Sequence, residues 1–79
     1  MAAKYTYKQG QYLAFIHHYT KLHRQPPAEL DMQQYFRVTP PSVHQMILTL
    51  EARGLISRVP WTPRSIQVLV SAHDLPELD

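Results

Sequence analysis

Seven prolines divide this chain of 79 residues into short segments. Proline disfavours helical dihedral angles in the residue before it and donates no backbone hydrogen bond, so a helix ends near it unless it lies in the first turn. Two adjacent pairs, at positions 26–27 and 40–41, separate three stretches with helical periodicity. Pro60 and Pro63 lie in a fourth stretch, which has a different period.

The first stretch, residues 7–23, has the pattern of an amphipathic helix. Thr6 and Gln9 have the spacing of a capping box at its start, and the prolines that follow Gln25 end it. Its apolar residues recur at i, i+3, i+4 and i+7, which places them on one helical face. They are Tyr12, Phe15, Ile16 and Tyr19.

The second stretch, residues 28–37, predicts a short helix. Glu29 and Asp31 lie in its first turn, where the helix dipole favours carboxylates. Met32 and Phe36 are four residues apart and form a small apolar face.

A third helix is predicted over residues 40–53. Thr39 is a favourable N-cap for it, the two prolines occupy its first turn, and Gly54 is well placed as a left-handed terminator. Its apolar face has the same spacing as that of the first helix. The residues of this face are Val43, Met46, Ile47 and Leu50.

The chain changes period after Gly54. Residues 55–59 and 65–70 are rich in Ile, Leu and Val, and Ile66, Val68 and Val70 fall at alternate positions, which predicts two strands. Because a proline-constrained connector joins them, the pair predicts a β-hairpin over residues 55–70. The expected fold is mainly α with this small hairpin: a three-helix winged helix-turn-helix.

The last nine residues, 71–79, are polar and acidic. They contain three of the six acidic residues, whereas all eight Lys and Arg lie between Lys4 and Arg64. We expect a loosely ordered acidic tail, although Leu75 and Leu78 can dock on the body. Residues 1–70 then form one domain with a net charge of +5, which suits a nucleic-acid surface better than the total of +2.

Composition excludes several classes of protein. The chain has no cysteine, so it has neither a disulfide framework nor a thiolate for a zinc site. Its length excludes Rossmann and TIM-barrel enzymes, and its two glycines form no phosphate-binding loop. We therefore expect no enzyme and no cofactor. No window resembles a membrane span or a signal peptide, so a cytoplasmic location is expected.

The five histidines suggest a metal site, which their spacing argues against. His17 and His18 point about 100° apart on a helix, and His18 and His23 are five residues apart, so the three do not converge on one ion. We expect no metal and no membrane partner.

The outward face of the third helix has no acidic residue before Glu51. An ordinary solvated face carries charges of both signs. Gln45 can bond adenine through two hydrogen bonds, and a Ser42 hydroxyl near the positive helix end can reach a phosphate. A plain polar surface remains the alternative for this helix taken alone, and the order of the surrounding elements favours DNA recognition.

Several runs of sequence resemble a known family. The run TPPSVHQMILTLEARGLISR, residues 39–58, resembles the recognition helix and the start of the wing in winged helix-turn-helix repressors. Residues 5–70 resemble the DNA-binding domain of the LexA repressors, through QYLAFI, the prolines at 26–27, LEARGLI and PRSIQV. The self-cleaving peptidase domain of that family has no counterpart in this sequence. The resemblance implies sequence-specific binding of double-stranded DNA by a small repressor-like regulator, and it does not by itself imply a cleavage-controlled switch.

The resemblance also implies which residues read bases. In that family the loop before the recognition helix and its first turns contact the operator. The corresponding positions are Thr39, Pro41, Ser42, His44 and Gln45. Pro41 falls where a hydrogen-bonding residue is frequent, so its contact is lost or apolar. Arg37 falls where a turn glycine is common, which implies a different turn or a strained arginine.

The hairpin supplies the predicted backbone contacts. Arg58 and Arg64 flank it and are expected to contact phosphates or to enter the minor groove. Trp61 at its tip either packs on a sugar or base edge or folds back over its own hairpin. Arg37 and Arg53 are further candidates, whereas Lys8, Lys21 and Arg24 are ambiguous because a surface charge is usually only solvated.

A winged helix that binds protein instead of DNA is the competing function. Leu48 and Leu69 are apolar residues predicted to point outward, as is Trp61, and the net charge is modest. The same residues can form a homodimer contact, which two DNA half-sites would favour.

Overall fold

A computed structural model describes residues 4–79. The helices are α1 (Tyr7–His23), α2 (Glu29–Phe36) and α3 (Pro40–Ala52), and the strands are β1 (Ile56–Ser57) and β2 (Gln67–Val68). A 3-10 turn, Ala72–Asp74, follows. The predicted fold class, three helices with a small antiparallel hairpin in the order of a winged helix-turn-helix, is confirmed. Within the described part of the chain, no helix is both long enough and apolar enough to cross a bilayer.

Local interactions set the ends of α1. The Thr6 hydroxyl accepts from the Gln9 N–H at 3.2 Å, and the Gln9 side-chain oxygen accepts from the Thr6 N–H at 2.9 Å. This is the predicted capping box, which satisfies two backbone donors that the helix leaves free. The helix ends at His23, as predicted, and Arg24 follows in the left-handed conformation with φ 60°.

The core lies where the three helices meet the hairpin. Stacking of Tyr12 on Phe36, with ring centroids 4.1 Å apart and planes 7° from parallel, joins α1 to α2. Each large apolar side chain that is fully buried contributes about 1.5–3 kcal/mol through the hydrophobic effect. The buried apolar residues are Tyr12, Leu13, Ala14, Phe15, Ile16, Met32, Val43, Ile47, Leu50, Leu55, Ile56 and Ile66.

A glycine turn joins α3 to the hairpin. The N–H of Leu55 donates to the Leu50 carbonyl and that of Gly54 to the Glu51 carbonyl, both at 3.0 Å. These two bonds, with Gly54 at φ 73°, form a Schellman motif. Gly54 therefore acts as predicted, while α3 ends at Ala52, one residue before the predicted end.

The hairpin has much shorter strands than the sequence predicts. Ile56 pairs with Val68 and Ser57 with Gln67, and regular pairing stops there. Toward the tip, the Ser65 hydroxyl accepts from the Val59 N–H at 2.9 Å, in the place of a partner carbonyl. At the other end, the Leu69 N–H donates to the Leu55 carbonyl at 2.9 Å.

The C-terminal segment packs against α1 more closely than expected for a loosely ordered tail. The side chain of Gln11 donates to the Glu77 carbonyl at 2.9 Å and accepts from the Asp79 N–H at 2.8 Å. Leu75 and Leu78 pack against the core, which the sequence left open. Gln11 is buried, so these bonds satisfy a polar group that would otherwise be costly. The division into a domain of residues 1–70 and a tail stays a prediction.

Arg37 has the strained conformation that the missing turn glycine implies. It caps α2 with φ 55° and ψ 50°, in the left-handed region that side chains other than glycine rarely adopt. Of the two alternatives, a different turn or a strained arginine, the structure has the second.

Replacing Arg37→Gly should raise the free energy of unfolding by up to about 1 kcal/mol, because glycine adopts this conformation without the Cβ clash. Chemical denaturation monitored by circular dichroism measures the change. Arg37→Ala is the matched control, since it removes the guanidinium and keeps the Cβ. An equal gain in both variants would contradict the explanation by backbone strain.

Candidate nucleic-acid interface

The N-terminal half of α3 presents the five predicted base-reading residues on one outer surface. Val43, Ile47 and Leu50 are fully buried, which turns the opposite side of the helix toward solvent. The Thr39 hydroxyl accepts from the Ser42 N–H at 3.4 Å and caps the helix. Thr39, Pro41, Ser42, His44 and Gln45 are all exposed. Their contact with bases stays a prediction.

The first turns of α1 lie beside this surface. An open cleft of about 300 Å³ lies at the surface between the two helices, and Lys8, Tyr12, Ser42 and Gln45 are among its lining residues. Burial raises the pKa of the Tyr12 phenol, so this group stays neutral beneath the surface. Lys8 was ambiguous from sequence because its position depends on how α1 packs on α3. The one local indication of its position is that Lys8 precedes the buried Tyr12 by one helical turn.

An acidic residue of α2 reaches the edge of the same surface. The Glu29 carboxylate lies 3.5 Å from Nδ1 of His44, and both side chains are partly exposed. The outward face of α3 itself has no acid before Glu51, but the neighbouring helix supplies one. Periodicity within a single helix does not reveal such a neighbour.

Three of the predicted backbone-contacting arginines, Arg53, Arg58 and Arg64, bond within the protein. Nε of Arg58 lies 3.2 Å from the Glu51 carboxylate, and this ion pair is partly buried. The guanidinium of Arg53 donates to the Lys4 carbonyl at 2.9 Å. These bonds tie the hairpin to the end of α3 and α3 to the residues before α1. Arg37 is exposed at the end of α2, one turn before α3.

Arg64 clamps the hairpin to the connection between α1 and α2. Its guanidinium lies 3.1 Å from the Asp31 carboxylate, and it donates to the Tyr19 hydroxyl at 3.2 Å and to the Pro26 carbonyl at 3.3 Å. The bond to Tyr19, more than the charge of Asp31, raises the pKa of Arg64, which therefore stays charged. Asp31 also accepts from the Ala28 N–H at 2.8 Å, so one carboxylate caps α2 and holds the hairpin.

Trp61 projects from the tip of the hairpin. Its side chain is 100% exposed, so the alternative in which it folds back over its own hairpin is wrong. Together with His44, Arg58 and Pro60 it lines a cleft of about 300 Å³ between α3 and the tip. Leu48 and Leu69 are exposed, as predicted. Among residues 4–79, no three His, Asp or Glu side chains converge as a metal site would require.

Comparison with known proteins identifies related sequences. The family profile described as LexA DNA binding domain matches residues 2–65. A LexA repressor of Thermosipho melanesiensis is 35% identical over 66 residues, which are 84% of this chain and 33% of that protein. A LexA repressor of Bartonella quintana is 37% identical over 65 residues, 81% of this chain and 27% of that protein. The chain thus spans about a third of the length of the curated relatives it matches.

Removing the clamp with Arg64→Ala should lower the melting temperature and speed amide exchange at Val59 and Thr62, because the hairpin loses its link to α2. Hydrogen exchange followed by NMR measures both amides. Lys21→Ala, which removes an exposed charge on α1, is the control and should leave them unchanged. Unaltered exchange in the Arg64 variant would show that the three contacts do not hold the hairpin.

Proposed function

The chain belongs to the LexA DNA-binding domain family, and from this premise we propose that it binds double-stranded DNA sequence-specifically as a small, repressor-like transcription regulator. The observation that supports this most is the exposed N-terminal half of α3, whose own residues include no acid before Glu51. In this proposal α3 lies in the major groove, and the hairpin is the wing that reaches the neighbouring backbone or minor groove.

Each residue of the α3 surface has a role in this proposal. Gln45 bonds N6 and N7 of an adenine, and Ser42 and His44 bond neighbouring base edges. The Thr39 hydroxyl, which accepts from the Ser42 N–H and still has its own proton to donate, contacts a phosphate near the positive end of the helix dipole. Pro41 packs on a thymine methyl group, because it has no donor to offer.

The contacts that Arg58 and Arg64 make within the protein change the roles that we propose for them. Arg58 and Arg64 have carboxylate partners within the protein, so a phosphate has to compete with Glu51 or Asp31. Lys8 and Arg37 are exposed beside the N-terminal end of α3. We therefore add Lys8 to the proposed phosphate contacts, keep Arg37 and Arg53, and treat the wing arginines chiefly as supports.

The remaining proposals concern the setting. The protein acts in the cytoplasm, without catalysis of its own, and two copies on adjacent half-sites would multiply a modest affinity. Binding to protein through the exposed Leu48, Leu69 and Trp61 is the competing function. The two functions differ in a simple property, since binding to DNA depends strongly on salt.

Affinity for duplex DNA should fall steeply with salt. A plot of log affinity against log salt should have a slope of about −3, because each of the three proposed cationic contacts, Lys8, Arg37 and Arg53, neutralises about one phosphate. Fluorescence anisotropy of a labelled duplex between about 50 and 200 mM salt measures it. Indifference to duplex DNA at the lowest salt would overturn the proposal and favour the protein-binding alternative.

Replacing Gln45→Ala should relax base preference at one position, at a cost of about 1–3 kcal/mol in specific binding, and leave affinity for random duplex unchanged. Selection of bound duplexes from a random pool, before and after the change, reveals the relaxed position. Gln25→Ala, in the α1–α2 connection, is the matched control and should bind like the parent.

Replacing Lys8→Ala should have the opposite profile. It should weaken binding to all sequences alike and make the salt slope shallower by about 1, because one phosphate contact is lost. Equal losses on selected and random DNA for Gln45→Ala, or a changed base preference for Lys8→Ala, would reverse the roles assigned to these two residues.

A further inference from the structure

We propose that the wing tip is an uncharged wedge, in which Trp61 inserts from the minor groove between two base pairs and kinks the duplex. The tip is residues 59–63, and Arg58 and Arg64 hold it in position through Glu51 and Asp31. This inference rests on the proposed function, because it names how the wing of a DNA-bound protein engages the duplex.

The first support is that the exposed position of Trp61 is energetically unfavourable. A tryptophan is the largest apolar side chain, and burying it would be favourable, yet this one is wholly exposed. Its backbone also has φ 62°, in the left-handed region that disfavours a residue with a Cβ. An aromatic side chain held outward at this conformational cost is suited to a partner that covers it.

The second support is the rigidity of the tip. The Ser65 hydroxyl accepts from the Val59 N–H at 2.9 Å and lies 2.8 Å from the Thr62 carbonyl, and the Thr62 N–H donates to the Val59 carbonyl at 3.2 Å. Pro60 and Pro63 restrict the backbone further. A loop fixed in this way loses little entropy on binding, so Trp61 is preorganised for contact.

The third support is the absence of charge from the tip. Residues 59–63 are VPWTP, with no basic or acidic side chain among them. The cations on either side are engaged, Arg58 by Glu51 and Arg64 by Asp31. The surface that such a loop presents to DNA is apolar and aromatic. A surface of this kind stacks on bases or inserts between them from the minor groove.

The fourth support is where the tip lies relative to α3. A cleft of about 300 Å³, lined by His44 of α3 and by Arg58, Pro60 and Trp61, separates the two. When a helix lies in the major groove, one sugar-phosphate strand separates it from the neighbouring minor groove. We place that strand in the cleft, so that Trp61 reaches the minor groove on its far side.

Trp61 is the single tryptophan of the chain, so tryptophan fluorescence measures this contact directly. The experiment titrates the protein with a random-sequence duplex at low salt and follows two signals. Anisotropy of a fluorescein-labelled duplex measures binding, and tryptophan emission with acrylamide quenching, on an unlabelled duplex, measures the environment of Trp61. Insertion predicts quenched emission and protection from acrylamide when DNA is bound.

Three substitutions separate a wedge from a phosphate contact. Trp61→Ala should lower affinity about 5- to 150-fold, the range expected for one base stacked on an aromatic ring, and leave the salt slope unchanged. Trp61→Phe should recover most of the loss. Trp61→Gly should bind as weakly as Trp61→Ala while folding at least as well, because glycine suits φ 62°. Leu22→Ala, at an exposed leucine of α1, is the control and should bind like the parent.

A duplex with donor and acceptor dyes at its two ends tests the kink. The parent protein should shorten the end-to-end distance of the duplex. Trp61→Ala, added to saturation, should leave that distance as it is in the free duplex. Absence of any anisotropy change at low salt would overturn the proposed function and this inference with it. Three other results would overturn this inference and leave the proposed function standing. They are DNA binding with unchanged tryptophan emission, DNA binding without a kink, and a shallower salt slope in Trp61→Ala.

Discussion

The orientation of α3 about its own axis governs which side chains this helix presents to a partner. Val43, Ile47 and Leu50 are fully buried, and their burial fixes which side of the helix faces outward. A rotation by one residue, about 100°, would carry His44 toward the core and leave an apolar residue outside, at a cost of about 1.5–3 kcal/mol for each large side chain exposed. The proposed DNA-binding surface is therefore a consequence of the core.

The parts of the fold that follow from local sequence were predictable. The capping box at Thr6 and the prolines after Gln25 determine α1 within neighbouring residues, and its predicted bounds are those observed. Exposure of the polar side of α3 followed from helical periodicity in the same way. The strands were overestimated toward the tip because a side-chain hydroxyl, that of Ser65, replaces a backbone partner, and apolar alternation does not indicate such a bond.

The parts that depend on contacts between distant residues were not predictable. Arg64 and Asp31 are far apart in sequence, and neither segment indicates that they form an ion pair. The sequence therefore did not indicate that the wing loses a free cation. The placement of Lys8 and Glu29 beside α3 depends likewise on how the helices pack. The sequence left open whether Trp61 points outward or folds back over its hairpin, and the identities of its neighbours do not indicate its left-handed backbone.

Seven prolines and two glycines have a further consequence for a chain whose core is small. Glycine-rich turns make the unfolded chain flexible, and folding then has to overcome the lost conformational freedom. Here the backbone bends at arginine and tryptophan instead of glycine at four positions, and proline stiffens the connections. The denatured ensemble is correspondingly restricted. A domain of this size, which buries a smaller share of its surface than a large one does, therefore starts closer in entropy to the native state.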